Sequence, residues 1–296
     1  MSDMMVFAEQ IDFINRDPRI DRDSQVTYPT TAENQTIRNS VFLPPDLLKD
    51  KRILDIGCCV AASGGWALSH NAARYVGVEI SHQLSDIGRE NLEKYHAGED
   101  FHIVCSSAED FLLENKESFD IVLATGVIFH IGNQIQFLEN LSRITNSIVI
   151  DSHNPRLTDD LIGGLIKELI GLDIDPEIKK NLLRKYKNIS NILLEEYPFI
   201  EFRKMNNGPD YGDIWKNSYN YKDDGLTVHN TSLICPSLGA LKKIMNELGF
   251  DTDLSPNEKL QEQMPKYYNN RRRYAVRFNK TDRSANPIAF KDILAA

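Results

Sequence analysis

Acidic and small residues recur at fixed points of this sequence, each closing a short apolar run. Asp55-Ile56-Gly57 closes the first and leads through Cys58 and Cys59 into a string of small residues ending at Gly65. Glu79 and Ile80 close the second, about 20 residues on. Ser107-Ala108-Glu109-Asp110 follows the third, and Thr125-Gly126 the fourth. A turn of small residues lets backbone N–H groups come close to a ligand. A carboxylate at the next strand end suits the two hydroxyls of a ribose. A backbone N–H beside a carboxylate can read the edge of a base, the role open to Ala108 and Glu109. The set therefore fits a ligand with a nucleoside at one end.

Three histidines suit proton transfer: His130, His153 and His229. A single histidine is more often structural, but three near predicted strand ends favour one facing a substrate. His153 and His229 rank ahead of His130. Tyr211, Trp215 and Tyr219 could clamp a planar or cationic substrate, with the core of a small cap as the alternative. Asn230 opens a stretch that leads back toward the site. Arg38 and Tyr28 could reach a carboxylate of the ligand, with a surface role as the alternative. Cys58, Cys59, Cys105 and Cys235 show no metal spacing, and no metal-ligand cluster is visible. Reduced thiols imply a cytoplasmic protein.

The elements that must position these groups alternate. Strands are expected at 52–56, 75–79, 101–105, 119–124 and 147–152, with helices at 81–95, 108–114 and 134–145 between them. This is the pattern of a doubly wound, Rossmann-like α/β sheet with right-handed crossovers. A helix at 238–248 and an antiparallel pair at 250–254 and 274–278 complete seven strands in the order 3-2-1-4-5-7-6. Four segments follow: 1–50, a lead-in or lid; 51–153, the cofactor-binding core; 154–235, an inserted α-rich substrate cap; and 236–296, completion of the sheet. The cap, with helices expected at 157–172 and 176–195, is too long for a plain loop.

Turn, acid and SAED segment, in this order at strand ends, are what an S-adenosylmethionine (SAM) site requires. Asp55, Gly57, Cys58 and Cys59 would lie by its methionine part, Glu79 and Ile80 by the ribose, Ala108 and Glu109 by the adenine, and Thr125 and Gly126 by the sulfonium. The same turn counts against NAD, whose pyrophosphate needs G-x-G-x-x-G. The 296 residues carry a formal net charge of −9. That argues against nucleic acid, which needs a Lys/Arg face, although Lys266 to Arg273 is a local basic run. No signal peptide or run of about 18 apolar residues is visible, so no membrane partner is expected.

Two stretches, SFDIVLATGVIFHIGNQIQFLENL (Ser118 to Leu141) and NTSLICPSLGALKKIMNELGF (Asn230 to Phe250), resemble the wobble-uridine tRNA carboxymethyltransferases and their small-molecule relatives among class I SAM methyltransferases. The resemblance implies their fold, a capped site and methyl-transfer chemistry. It breaks at three points. Cys59 and Ala61 replace the usual glycines of D-x-G-C-G-x-G. The family's tyrosine just after this turn falls at about Ala62. Ile131 follows Phe129-His130 where the tRNA enzymes have an arginine that grips the extra carboxylate of carboxy-SAM. Ordinary SAM and a small acceptor, methylated at O or N in biosynthesis, are therefore expected. A tRNA modifier and a non-catalytic SAM-binding module are the rivals. A homodimer is compatible with this class.

Overall fold

The computed structural model describes residues 3–20, 31–153, 175–178, 180–182, 184, 200–204, 232–265, 267–268 and 273–281. Two lead-in helices, α1 (Asp3–Arg16) and α2 (Ala32–Phe42), precede the sheet. The alternation expected from the sequence follows: β1 (Arg52–Ile56), α3 (Ala62–Ser69), β2 (Arg74–Glu79), α4 (His82–Tyr95), β3 (Phe101–Cys105), α5 (Ala108–Glu114), β4 (Ile121–Thr125), α6 (Gln134–Ile144) and β5 (Ser147–His153). Serine or asparagine side chains cap α4, α5 and α6: Ser81, Ser107 and Asn133 each accept from a first-turn N–H. Helix α3 starts instead from Ala61, whose methyl group cannot accept a hydrogen bond.

Beyond β5, in the segment expected as an α-rich cap, the described residues include a strand pair that the sequence did not reveal. Residues 176–178, 180–182 and 184 are helical, but β6 (Ile200–Lys204) and β7 (Ser232–Pro236) pair antiparallel as a separate two-stranded sheet. The expected helix at 157–172 lies outside the described residues. Then come α7 (Leu238–Glu247), β8 (Phe250–Asp253), an unanticipated helix α8 (Ser255–Gln263) and β9 (Arg273–Lys280). In place of 3-2-1-4-5-7-6, the seven-stranded sheet runs β3-β2-β1-β4-β5-β9-β8. The numbers differ because β6 and β7 intervene in the chain without joining it. Strands β1 to β5 are parallel, and β9 is antiparallel to both β5 and β8.

Alternate residues of each central strand supply the two faces, as a period of two requires. Ile53, Leu123 and Val149 pack with Phe7, Phe42 and Trp66 under α1, α2 and α3. Leu54, Val122 and Ile150 pack with Leu112, Leu138 and Leu241 from α5, α6 and α7. Among the described residues no helix is long and apolar enough to cross a membrane.

The lead-in is fastened by charge as well as by packing. Asp151, fully buried near the end of β5, takes Arg273 Nε at 2.5 Å and Nη2 at 2.9 Å, Arg38 Nη2 at 3.1 Å and the Tyr268 hydroxyl at 2.9 Å. Burial pushes its carboxyl up, but the Arg273 and Arg38 guanidiniums outweigh that and hold it below the usual carboxylate range. Neutralising one member of such a group strands the others in low dielectric. Asp151→Asn should therefore cost ~3–5 kcal/mol, read as a lowered urea midpoint with an unchanged slope.

Candidate active site

The cofactor turn keeps a glycine-like backbone without the glycines. Gly57, Cys59 and Ala61 all lie at positive φ, 72°, 52° and 56°. For the cysteine and the alanine this conformation costs roughly 1–2 kcal/mol each. Local bonds hold it: Gly57 and Cys58 both donate to the Val78 carbonyl, and Ala61 N donates to Cys58 O. Cys59 N donates 2.9 Å to Glu79 Oε2.

Glu79 ties two loops together. Its other oxygen, Oε1, accepts from Ser81 N at 3.0 Å, the residue that caps α4. The side chain is buried, which pushes its carboxyl up, partly countered by these N–H bonds. Each oxygen is thus aligned by one backbone donor. A carboxylate has about four acceptor positions, so each oxygen keeps one for a ribose hydroxyl. Ile80, next in the chain, is an apolar side chain 44% exposed at the rim.

Asp55 lies under the turn, two residues from Gly57. The Tyr75 hydroxyl donates 2.9 Å to its Oδ2, while Oδ1 is buried without a hydrogen bond. Tyr75 reaches it because Gly64 has no side chain: a Cβ there would lie 2.5 Å from the ring. Burial pushes the Asp55 carboxyl up to about 7.

The expected residues fall into three groups. Asp55, Gly57, Cys58, Cys59, Glu79 and Ile80 lie around the β1 and β2 ends. Ala108 and Glu109 open α5, with Glu109 exposed. Thr125 ends β4, and Gly126, at φ 74°, donates to the Asp151 carbonyl at 2.8 Å. His130 and His153 both pack on Phe129, at ring distances of 4.5 and 4.8 Å. Burial pulls the His130 imidazole down to about 4. Arg38, expected to face the ligand's carboxylate, instead reaches into the Asp151 cluster and is buried there. His229, Tyr211, Trp215, Tyr219, Tyr28 and Asn230 lie outside the described residues. Tyr75, Asp151, Tyr268 and Arg273 were not anticipated. A lone acid inside the apolar run SIVIDSH was the available signal for Asp151.

These residues fit S-adenosylmethionine. The doubly aligned Glu79 can receive a diol, and Ile80 offers a base an apolar face. The uncapped first turn of α3 keeps N–H groups for an anionic end. Among the described residues no group of three metal-binding side chains occurs.

Two outcomes follow for variants of this site. Glu79→Gln turns one oxygen into an NH2 that must face a backbone N–H, and the lost charge-assisted bonds are worth roughly 1.5–3 kcal/mol. Calorimetric titration should show SAM affinity falling about tenfold to a hundredfold. Asp55 holds its proton in the fold up to about pH 7, whereas the unfolded chain releases it near 3.8. Its contribution to stability is complete below about pH 4 and is lost as pH rises through 7. Asp55→Asn should remove that decline, measured as urea unfolding at pH 5 and pH 8.

Residues 54–147, about a third of the chain, match the family model described as a methyltransferase domain. No curated protein matches the sequence. Among solved structures, a putative S-adenosylmethionine-dependent methyltransferase from Listeria monocytogenes is 12% identical, with 85% of this chain and 100% of that chain covered at a TM-score of 0.50. Magnesium protoporphyrin IX methyltransferase from Synechocystis PCC 6803, with S-adenosylhomocysteine bound, is 12% identical over 92% of this chain and 94% of its own, at 0.49. The chain spans about a third (35%) of the bifunctional kinase-methyltransferase WbdD, covering 48% of itself at 17% identity and 0.37. The Listeria protein shares the fold; the family match assigns the domain. Residues 54–147 thus form a methyltransferase domain, and the cradle at its strand ends fits S-adenosylmethionine as the methyl donor.

Proposed function

We propose that the chain methylates an oxygen or nitrogen of a small molecule in a cytoplasmic biosynthetic reaction, with His153 taking the acceptor's proton. The carrying observation is that His153, which ends β5, and His130, just after β4, both pack on the Phe129 ring. S-adenosylmethionine, when bound, supplies a methyl on a sulfonium. Glu79, the turn at 57–61 and the α5 N-terminus fix that group, so that positioning does much of the work. With the donor held there, His153 would take the proton that the acceptor gives up on methylation. His130, kept neutral by burial, is a weak proton acceptor at pH 7.

Residues 154–235 would cap the substrate, with Tyr211, Trp215, Tyr219 and Asn230 touching it and His229 at its edge. Two observations favour a small acceptor and ordinary SAM over the tRNA reaction. The net charge is −9, and Ile131, where an arginine would be needed, is buried in the core under α6. A homodimer is compatible with this reading.

Incubation with methyl-labelled SAM, a small-metabolite extract and total tRNA separates the acceptors. Label should enter the small-molecule fraction; label in tRNA would sink the reading. His153→Ala should lower kcat about 10²–10⁴-fold with SAM affinity unchanged, and His130→Ala far less.

A further inference from the structure

One cysteine–histidine pair lies beside the cradle without being used by methyl transfer. Cys105 ends β3 and pairs in register with Glu79. Its sulfur lies 3.2 Å from His82 Nδ1 and 3.8 Å from the carbonyl oxygen of Ile80. Cys105 is half-buried and His82 exposed. His82 is the first residue of α4, whose N-terminal end carries partial positive charge. A thiol with a base in reach, partly open to solvent and near a helix start, meets the structural conditions for nucleophilic attack.

The other described cysteines do not share this setting. Cys58 and Cys235 are buried. Cys59 is exposed in the turn after β1, yet the surrounding protein and the Glu79 carboxylate push its thiol up to about 12. Cys105 is also the one placed to obstruct. It touches the backbone of Ile80 and lies two residues before Ser107, the cap of α5, so it sits between the two segments assigned to ribose and adenine.

We propose that Cys105 is a modification site, activated by His82, at which disulfide formation with a small thiol closes the adenine end of the cofactor cleft. In the step, the Cys105 sulfur attacks one sulfur of a low-molecular-weight disulfide. The old S–S bond breaks, a new one forms at Cys105, and the released thiolate takes the proton that passed to His82. A reducing thiol reverses it. The proposal rests on the SAM assignment, because the adduct must compete with the adenosyl group.

The test treats the full chain with glutathione disulfide, locates the adduct by peptide mass spectrometry and titrates SAM before and after. The adduct is expected on Cys105 first, with SAM affinity at least tenfold weaker and restored by dithiothreitol. Saturating SAM should slow the modification. Cys105→Ser should bind SAM like the untreated wild type and ignore the disulfide, and His82→Asn should react about tenfold more slowly. Circular dichroism confirms that both variants fold, with Cys105→Ala as a second substitution. A first adduct on Cys59, an adduct on Cys105 that leaves SAM affinity unchanged, or equal rates in His82→Asn would each overturn the proposal. Failure of untreated wild type to bind SAM would instead overturn the cofactor assignment.

Discussion

One buried carboxylate decides the shape of the cofactor cradle. Glu79 accepts from Cys59 in the turn after β1 and from Ser81 at the start of α4. Gly57 and Cys58 tie the turn to Val78, and Asn91 of α4 donates to Val60 O, but only Glu79 joins the turn to the α4 cap through one carboxylate. Charge-assisted bonds to backbone donors are about twice as strong as neutral ones, and burial denies water the chance to replace them. The same two bonds orient both oxygens, so the part of the protein that would meet a ribose is arranged beforehand.

The turn that Glu79 holds shows how a glycine motif survives the loss of its glycines. Cys59 and Ala61 stay in the left-handed region at a cost of roughly 1–2 kcal/mol each. Against this stand the bonds to Val78, Cys58 and Glu79, and burial of the Ala61 methyl, worth about 0.8 kcal/mol. The backbone path is thus set by its partners, and the side chains tolerate it because they are small. The need for space is met elsewhere. Gly64 clears the Tyr75 ring, and Gly77 clears the Cys58 sulfur, which a Cβ would approach to 2.7 Å.

Much of this was legible because it follows from local pattern. The period-two runs fixed β1 to β5, and the serine and asparagine caps marked the helix starts, so residues at strand ends could be named from spacing. What escaped depends on contacts distant in sequence. Nothing near Arg38 reveals that its guanidinium meets Asp151, 113 residues later, rather than a ligand. Tyr75 reads as an ordinary strand aromatic until the register of β1 and β2 puts its hydroxyl on Asp55. The β6–β7 pair was missed because its strands lie beyond the expected helices, flanking a polar, aromatic stretch, and α8 because its run is mostly polar.

The Asp151 cluster also orders events during synthesis. Residues 52–153 emerge as one uninterrupted set of parallel strands, with Ile148, Val149 and Ile150 on a fifth strand whose outer edge has no neighbour. That neighbour, β9, and its Arg273 come 122 residues later, and Tyr268 is 230 residues from Arg38. At cellular translation speeds the interval is roughly 6–24 s. Throughout it, Asp151 stands at an open sheet margin with Arg38 as its only partner from the cluster. An unpaired β edge invites pairing with another chain. The cradle can therefore exist on the nascent chain before its fastening is complete, and the protein passes its most aggregation-exposed stage with its cofactor-binding half already assembled.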